Sequence, residues 1–124
     1  MKHHSPRFLK IVEAAKKRVR EISVSEVLDK FKREEKFYFV DVREESEWDA
    51  GHAAGAVHIG RGILERDVEK QIPDPDSQVV LYCGGGFRSA LAADNLQKMG
   101  YKNVKSMAGG WTAWNESGGP KEKS

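Results

Sequence analysis

"SQVVLYCGGGFRSALAADNLQKMG", residues 77–100, decides how the whole chain is read. Its continuous apolar run, Val79 to Tyr82, follows the turn signal "PDPD" at 73–76 and suits a strand buried on both faces of a parallel sheet. Three consecutive glycines end that strand. Beyond them, Ala90, Leu91, Ala93, Leu96 and Met99 recur at helical spacing in a helix of roughly Arg88 to Met99, with Gly100 placed to cap its C-terminus. Cys83, the single cysteine of the chain, stands where the strand gives way to the glycine turn.

Outward from this unit the same alternation repeats. Upstream, "SVSE" at 23–26 is a capping box opening a helix to about Phe31, and "KFYFVDV" at 36–42 reads as a buried strand with Asp41 near its C-terminal end. "EESEWDA" is helix-prone, "GHAAGAVHIG" is a loop feeding a short strand, and "ILERDVEKQI" has helical spacing. Downstream, "YKNVKSM" gives a last short strand, "AGG" a turn and "WTAWNE" a closing helix. Repeated strand then helix predicts an α/β fold with a mostly parallel sheet.

Three segments result: a basic amphipathic helical extension at 1–20, a domain at 21–117, and a polar tail at 118–124 expected to fray. In the extension, Ser5 and Pro6 form an N-cap and first-turn pair, and Phe8, Ile11, Val12, Ala15 and Val19 share a face. That face packs on the domain or on a second copy, so monomer and homodimer both stay open.

Composition excludes several function classes. With 124 residues, 39% hydrophobic and 32% charged, the chain can bury a core without disulfides or a structural metal. No apolar run reaches bilayer length, and the N-terminus lacks the uninterrupted apolar core of a secretory signal. A lone thiol cannot form an internal disulfide, a zinc cluster or a CxxC pair, which points to the cytoplasm. Residues 1–20 carry seven basic against one acidic residue and the remainder 14 against 18, so the basic character is local, and a solvated helix face accounts for it. Trp48, Trp111 and Trp114 are spread over separate helices without interleaved basic residues, which argues for core packing and against nucleic acid. His52 and His58 read as hydrogen-bonded loop histidines, His3 and His4 as an adventitious metal site at most, and Glu65, Asp67 and Glu69 as a solvated helix face. The expectation is therefore no cofactor, no resident metal, no membrane and no nucleic acid.

The chemistry converges on the thiol. In open parallel sheets, ligands bind beyond the carboxyl ends of the strands, where Cys83 falls. If Gly84, Gly85 and Gly86 let the chain curl, the amides from Gly84 through Phe87 and Arg88 to Ser89 can point at one spot and cradle an anion. The N-terminus of the next helix adds partial positive charge and Arg88 a full one. These features favour a nucleophilic thiolate over a cysteine that merely ends a buried strand. Phe87, inside the loop, either shields the sulfur from water or offers an apolar contact to a substrate. Arg43 either binds substrate or is the structural ion-pair partner of Asp41.

The loop Cys83, Gly86, Arg88, Ser89 after a "VVLYC" strand resembles the active-site loop of the rhodanese, or sulfurtransferase, family. "DVREESEWDAGHAAGAVHI" at 41–59 and "GYKNVKSMAGGWTAW" at 100–114 are similar to its upstream and closing segments, and together the three cover roughly residues 21–117 in the family's order. The resemblance implies a central five-stranded parallel sheet with helices on both faces. It further implies that Cys83 accepts a sulfane sulfur from thiosulfate, polysulfide or glutathione persulfide and passes it to a thiol or cyanide, with Arg88 and Arg43 meeting an anionic donor. A persulfide-carrying relay for a protein partner is the alternative. Phosphatases and arsenate reductases of a related fold set one more residue between cysteine and arginine than the four present here, so they fit less well. Gly84 and Gly85 stand where many thiosulfate-using members carry a basic side chain, which favours a less charged donor.

Overall fold

In the computed structural model, which describes residues 4–123, helix α1 (Pro6–Lys16) starts where the sequence sets its cap: Ser5 Oγ accepts from the Phe8 N–H at 3.3 Å. Strand β1 (Arg20–Ile22) follows, then α2 (Val24–Lys32), whose capping box is complete. Ser23 Oγ accepts from Glu26 N at 3.0 Å, and Ser23 N donates to Glu26 Oε1 at 3.2 Å. The chain continues through β2 (Tyr38–Asp41), α3 (Glu45–Ala50), β3 (His52–Ala53), β4 (Val57–His58) and α4 (Leu64–Gln71). The central unit is β5 (Val79–Tyr82) and α5 (Phe87–Lys98), followed by β6 (Val104–Met107), α6 (Gly110–Glu116) and β7 (Lys121–Glu122).

The main sheet has five parallel strands in the order β1-β6-β5-β2-β4, with β5 in the middle. Its pleat divides the apolar residues between two faces. Val40, Val42, Val79, Leu81 and Cys83 pack with residues of α4 and α5, whereas Phe39, Val80 and Tyr82 pack with Val27 of α2 and Trp114 of α6. Helices therefore cover both sides. Tyr82 lies in register with Asp41, and Leu81 with Ser106, so β2, β5 and β6 end close together and deliver Cys83 to that edge.

Four sequence expectations need correction. Ile22, outside every element read from the sequence, ends β1, which pairs with β6 from Arg20↔Lys105 to Ile22↔Met107. Helix α1 stops at Lys16, so Val19 is buried as part of the approach to β1 rather than as a helical residue. Met99, the C-cap of α5, is exposed and Leu91 is only half-buried, while Ala92 packs in the core with the sheet and Asp94 is buried beside Arg18 where α1 lies against α5. The tail does not fray throughout: β7 pairs antiparallel with β3, and Trp114 Nε1 donates to the Pro120 carbonyl at 2.9 Å. His3 lies outside the described residues.

Candidate active site

Gly86 turns the chain from β5 into α5. It is the only one of the three loop glycines with a left-handed backbone, at φ +94°, and a Cβ there would stand 3.1 Å from Gly109 N. This turn aims two amides at the cysteine: Gly86 N and Ser89 N donate to Cys83 Sγ at 3.2 and 3.3 Å. Ser89 Oγ lies 3.5 Å from the same sulfur and is fixed by Ser106 Oγ at 2.8 Å. The sulfur thus takes the place of a helix N-cap side chain, where N–H dipoles stabilise negative charge. Among the described residues, the N–H groups of Gly84, Gly85, Phe87 and Arg88 have no hydrogen-bond partner.

The loop is held from behind by α6. Trp111 N donates to the Cys83 carbonyl at 2.7 Å and Thr112 N to the Gly84 carbonyl at 3.1 Å. Gly110, at φ +51°, lets the two segments approach, since a Cβ there would run into the Cys83 carbonyl oxygen. What the sequence presents as a turn, "AGG", is the buttress of the thiol loop.

Cys83 is 1% exposed and forms part of the lining of a cleft of about 920 Å³. Gly84, Gly85, Phe87 and Arg88 also line it, so the cleft gathers most of the residues singled out from sequence. Gly86 and Ser89 are buried beneath, as the amides that touch sulfur. Arg88 approaches Glu47 at 3.4 and 3.5 Å. Burial pushes the Glu47 carboxyl up, but the Glu44 backbone N–H and the Arg88 guanidinium outweigh it and hold the group below the ordinary range.

Arg43 does not line the cleft, and the ion-pair alternative describes it. Its guanidinium meets both oxygens of the fully buried Asp41 at 2.8 to 3.1 Å, donates to the Gly51 carbonyl at 2.7 Å, and lies 4.6 Å from the Trp111 ring centre. It borders the site through Trp111, and its charge is felt by Glu47. His52 and His58 are hydrogen-bonded, to the Trp48 and Arg43 carbonyls at 2.9 and 2.8 Å. Trp48 itself is half-buried and stacks on His52 at 3.4 Å, so of the three tryptophans only Trp114 is fully in the core. Glu65 is half-buried instead of purely solvated, accepting from Asn95 at 2.7 Å and Arg61 at 2.8 Å. No group of three or more His, Cys, Asp or Glu among the described residues could hold a metal ion, and no described helix is long and apolar enough to cross a membrane.

Sequence reading missed Glu47, Trp111, Thr112, His4 and Phe8 as lining residues. The first three come from helices remote in sequence, and only the double glycine at 109–110 signalled a close approach. His4 and Phe8 belong to the extension, whose amphipathic pattern shows a buried face without saying what it borders.

The family model for the rhodanese-like domain matches residues 23–117. A Bacillus subtilis protein named "Putative sulfurtransferase YtwF" is 34% identical over 103 residues, covering 83% of this chain and 97% of that protein. Among solved structures, the polysulfide-sulfur transferase homodimer of Wolinella succinogenes is similar with a TM-score of 0.80 at 29% identity, over 95% of this chain and 88% of that one. The Rhodopseudomonas palustris protein RPA3614, described as of unknown function and a "Possible Tyrosine Phosphatase", reaches 0.84 at 32% identity over 98% and 99% of the two chains.

Proposed function

The chain belongs to the rhodanese-like domain family, and from that membership we propose that it is a sulfurtransferase in which Cys83 carries the transferred sulfur. The Cys83 thiolate attacks the outer sulfur of a sulfane donor. With thiosulfate, a bond from Sγ to that sulfur forms while its bond to sulfite breaks, and sulfite leaves with the electron pair. An acceptor thiolate or cyanide then attacks the outer sulfur of the persulfide, and Cys83 leaves as thiolate. Two displacements at one nucleophile predict ping-pong kinetics.

The observation carrying this reading is the pair of amides, Gly86 N and Ser89 N, directed at Sγ beside a cleft. Fixed N–H dipoles stabilise the anion at the start and end of each half-reaction. The loop N–H groups without partners are available to an outer sulfur. Thiosulfate, polysulfide and glutathione persulfide are the donor classes proposed, in a cytoplasmic setting that keeps the lone thiol reduced. A relay role toward one protein acceptor is the second reading, favoured by Arg7, Lys10 and Lys17, which α1 and its C-cap expose on the helix that borders the cleft. Phosphoryl transfer is less well supported, because only four residues separate Cys83 from Arg88 and Arg88 is engaged by Glu47.

The test is the intact mass after exposure to each donor. A gain of one sulfur, reversed by reductant and absent in Cys83→Ser, is the expected result. An unchanged mass with thiosulfate, polysulfide and glutathione persulfide alike would refute the proposal.

A further inference from the structure

Part of the cleft wall is built by a segment that the family match at 23–117 does not include. His4 and Phe8, before and within the first turns of α1, stand against Phe87 of the thiol loop. The His4 ring meets Phe87 edge-on at 4.7 Å between centroids, Phe8 meets it at 6.4 Å and 73°, and His4 and Phe8 are 5.3 Å apart. Lys16, a few turns along α1, places its ammonium 4.9 Å from the Phe87 ring centre. Trp111 adds a further aromatic wall, steadied by Arg43.

Charge at the cleft comes in pairs: Lys16, beside Phe87, meets Glu21 at 3.8 Å. Glu47 and Arg88 line the cleft with opposite signs and are paired with each other, and Gly84 and Gly85 bring no side chain at all. A small multiply charged anion would find Arg88 already shared with a carboxylate that repels it. An uncharged apolar group would leave water for aromatic surface, where contact is favourable in proportion to the area covered.

We infer that Phe8, Phe87 and Trp111 select the sulfur acceptor by the group its thiol carries, favouring aromatic or branched apolar thiols over anionic ones, with the α1 segment as a specificity determinant. This rests on the persulfide reading of Cys83. In the transfer, the acceptor thiolate attacks the outer sulfur and a bond between the two sulfurs forms. The bond from Sγ to that outer sulfur breaks with its electron pair returning to Cys83. The acceptor leaves as a persulfide anion and Cys83 as a thiolate, with no external oxidant or reductant.

The experiment uses the full chain loaded with sulfur from polysulfide, and follows discharge by intact mass to benzyl mercaptan and, separately, to 2-sulfanylethanesulfonate. The wild-type rate ratio should favour benzyl mercaptan by about tenfold, a size typical of apolar-pocket discrimination. Phe8→Ala should reduce the ratio about fivefold, and Phe8→Leu, which keeps an apolar side chain, should restore it to within about twofold of wild type. A residue acting only on the fold would slow both thiols together and leave the ratio alone. A wild-type preference for the sulfonate, or a ratio unchanged in Phe8→Ala, overturns the inference while leaving the sulfurtransferase reading intact. Failure of Cys83 to load with any donor overturns both.

Discussion

Gly110→Ala isolates the buttress behind the thiol loop. The residue has φ +51°, a conformation that costs a residue with a Cβ about 1–2 kcal/mol. Its new methyl group would collide with the Cys83 carbonyl, which is also the acceptor for Trp111 N at 2.7 Å. Parting the segments would weaken that bond and the one from Thr112 N to the Gly84 carbonyl, each contributing about 1 kcal/mol net. The sum is a loss of about 3–4 kcal/mol, a large share of the roughly 5–15 kcal/mol of a whole domain. Urea unfolding followed by tryptophan fluorescence measures it, and sulfur loading of Cys83 at low temperature reports whether the amides still reach the sulfur. Loading should fall together with stability. Gly85→Ala is the matched comparison, because a Cβ there meets nothing within 4 Å, and its stability should stay within about 0.5 kcal/mol of wild type. If Gly110→Ala unfolds at the wild-type urea concentration and loads at the wild-type rate, or if Gly85→Ala costs as much, the buttress argument is wrong.

Arg43→Ala leaves the Asp41 carboxylate buried without its partner and should cost about 3–5 kcal/mol in urea unfolding. The folded protein should keep its KM for thiosulfate within a few-fold; a tenfold rise with little loss of stability would mean that Arg43 touches the donor. Asp94 concerns pH. The Arg18 hydrogen bond, opposed by burial, holds its carboxyl below the ordinary range, so its contribution is complete above the unfolded value of about 3.9 and is lost as pH falls through the folded one. Urea midpoints of wild type and Asp94→Asn should differ most near neutral pH and converge on acidification; a gap that widens toward acid would contradict this sign.

Elements with local signals were legible in the sequence. The Ser5 cap, the Ser23–Glu26 capping box, the apolar run of β5 and the glycine break before α5 all depend on neighbours within a few residues. Strands β1 and β7 were not, because two or three residues carry no period and their partners, β6 and β3, are far along the chain. Burial on α5 misled for a related reason. Helical spacing marks one buried face, but α1 covers part of the opposite one, so Asp94 is buried beside Arg18 while Met99 is left in solvent. At the site, Cys83 and its loop were legible because glycines, arginine and thiol are contiguous. Which amides touch the sulfur, which of the glycines needs its conformation, and the pairing of Arg88 with Glu47 are matters of tertiary geometry.

The sheet order has a consequence for synthesis. Strand β1, near the start of the chain, aligns with β6 from Arg20↔Lys105 onward, and the loop carrying Cys83 is braced by a helix that begins only at Gly110. Such distant pairings carry the entropy of closing long loops and form late. A polypeptide emerging from the ribosome therefore presents Cys83 before the segment that braces its loop, and the loop takes its shape only after α6 has followed it out.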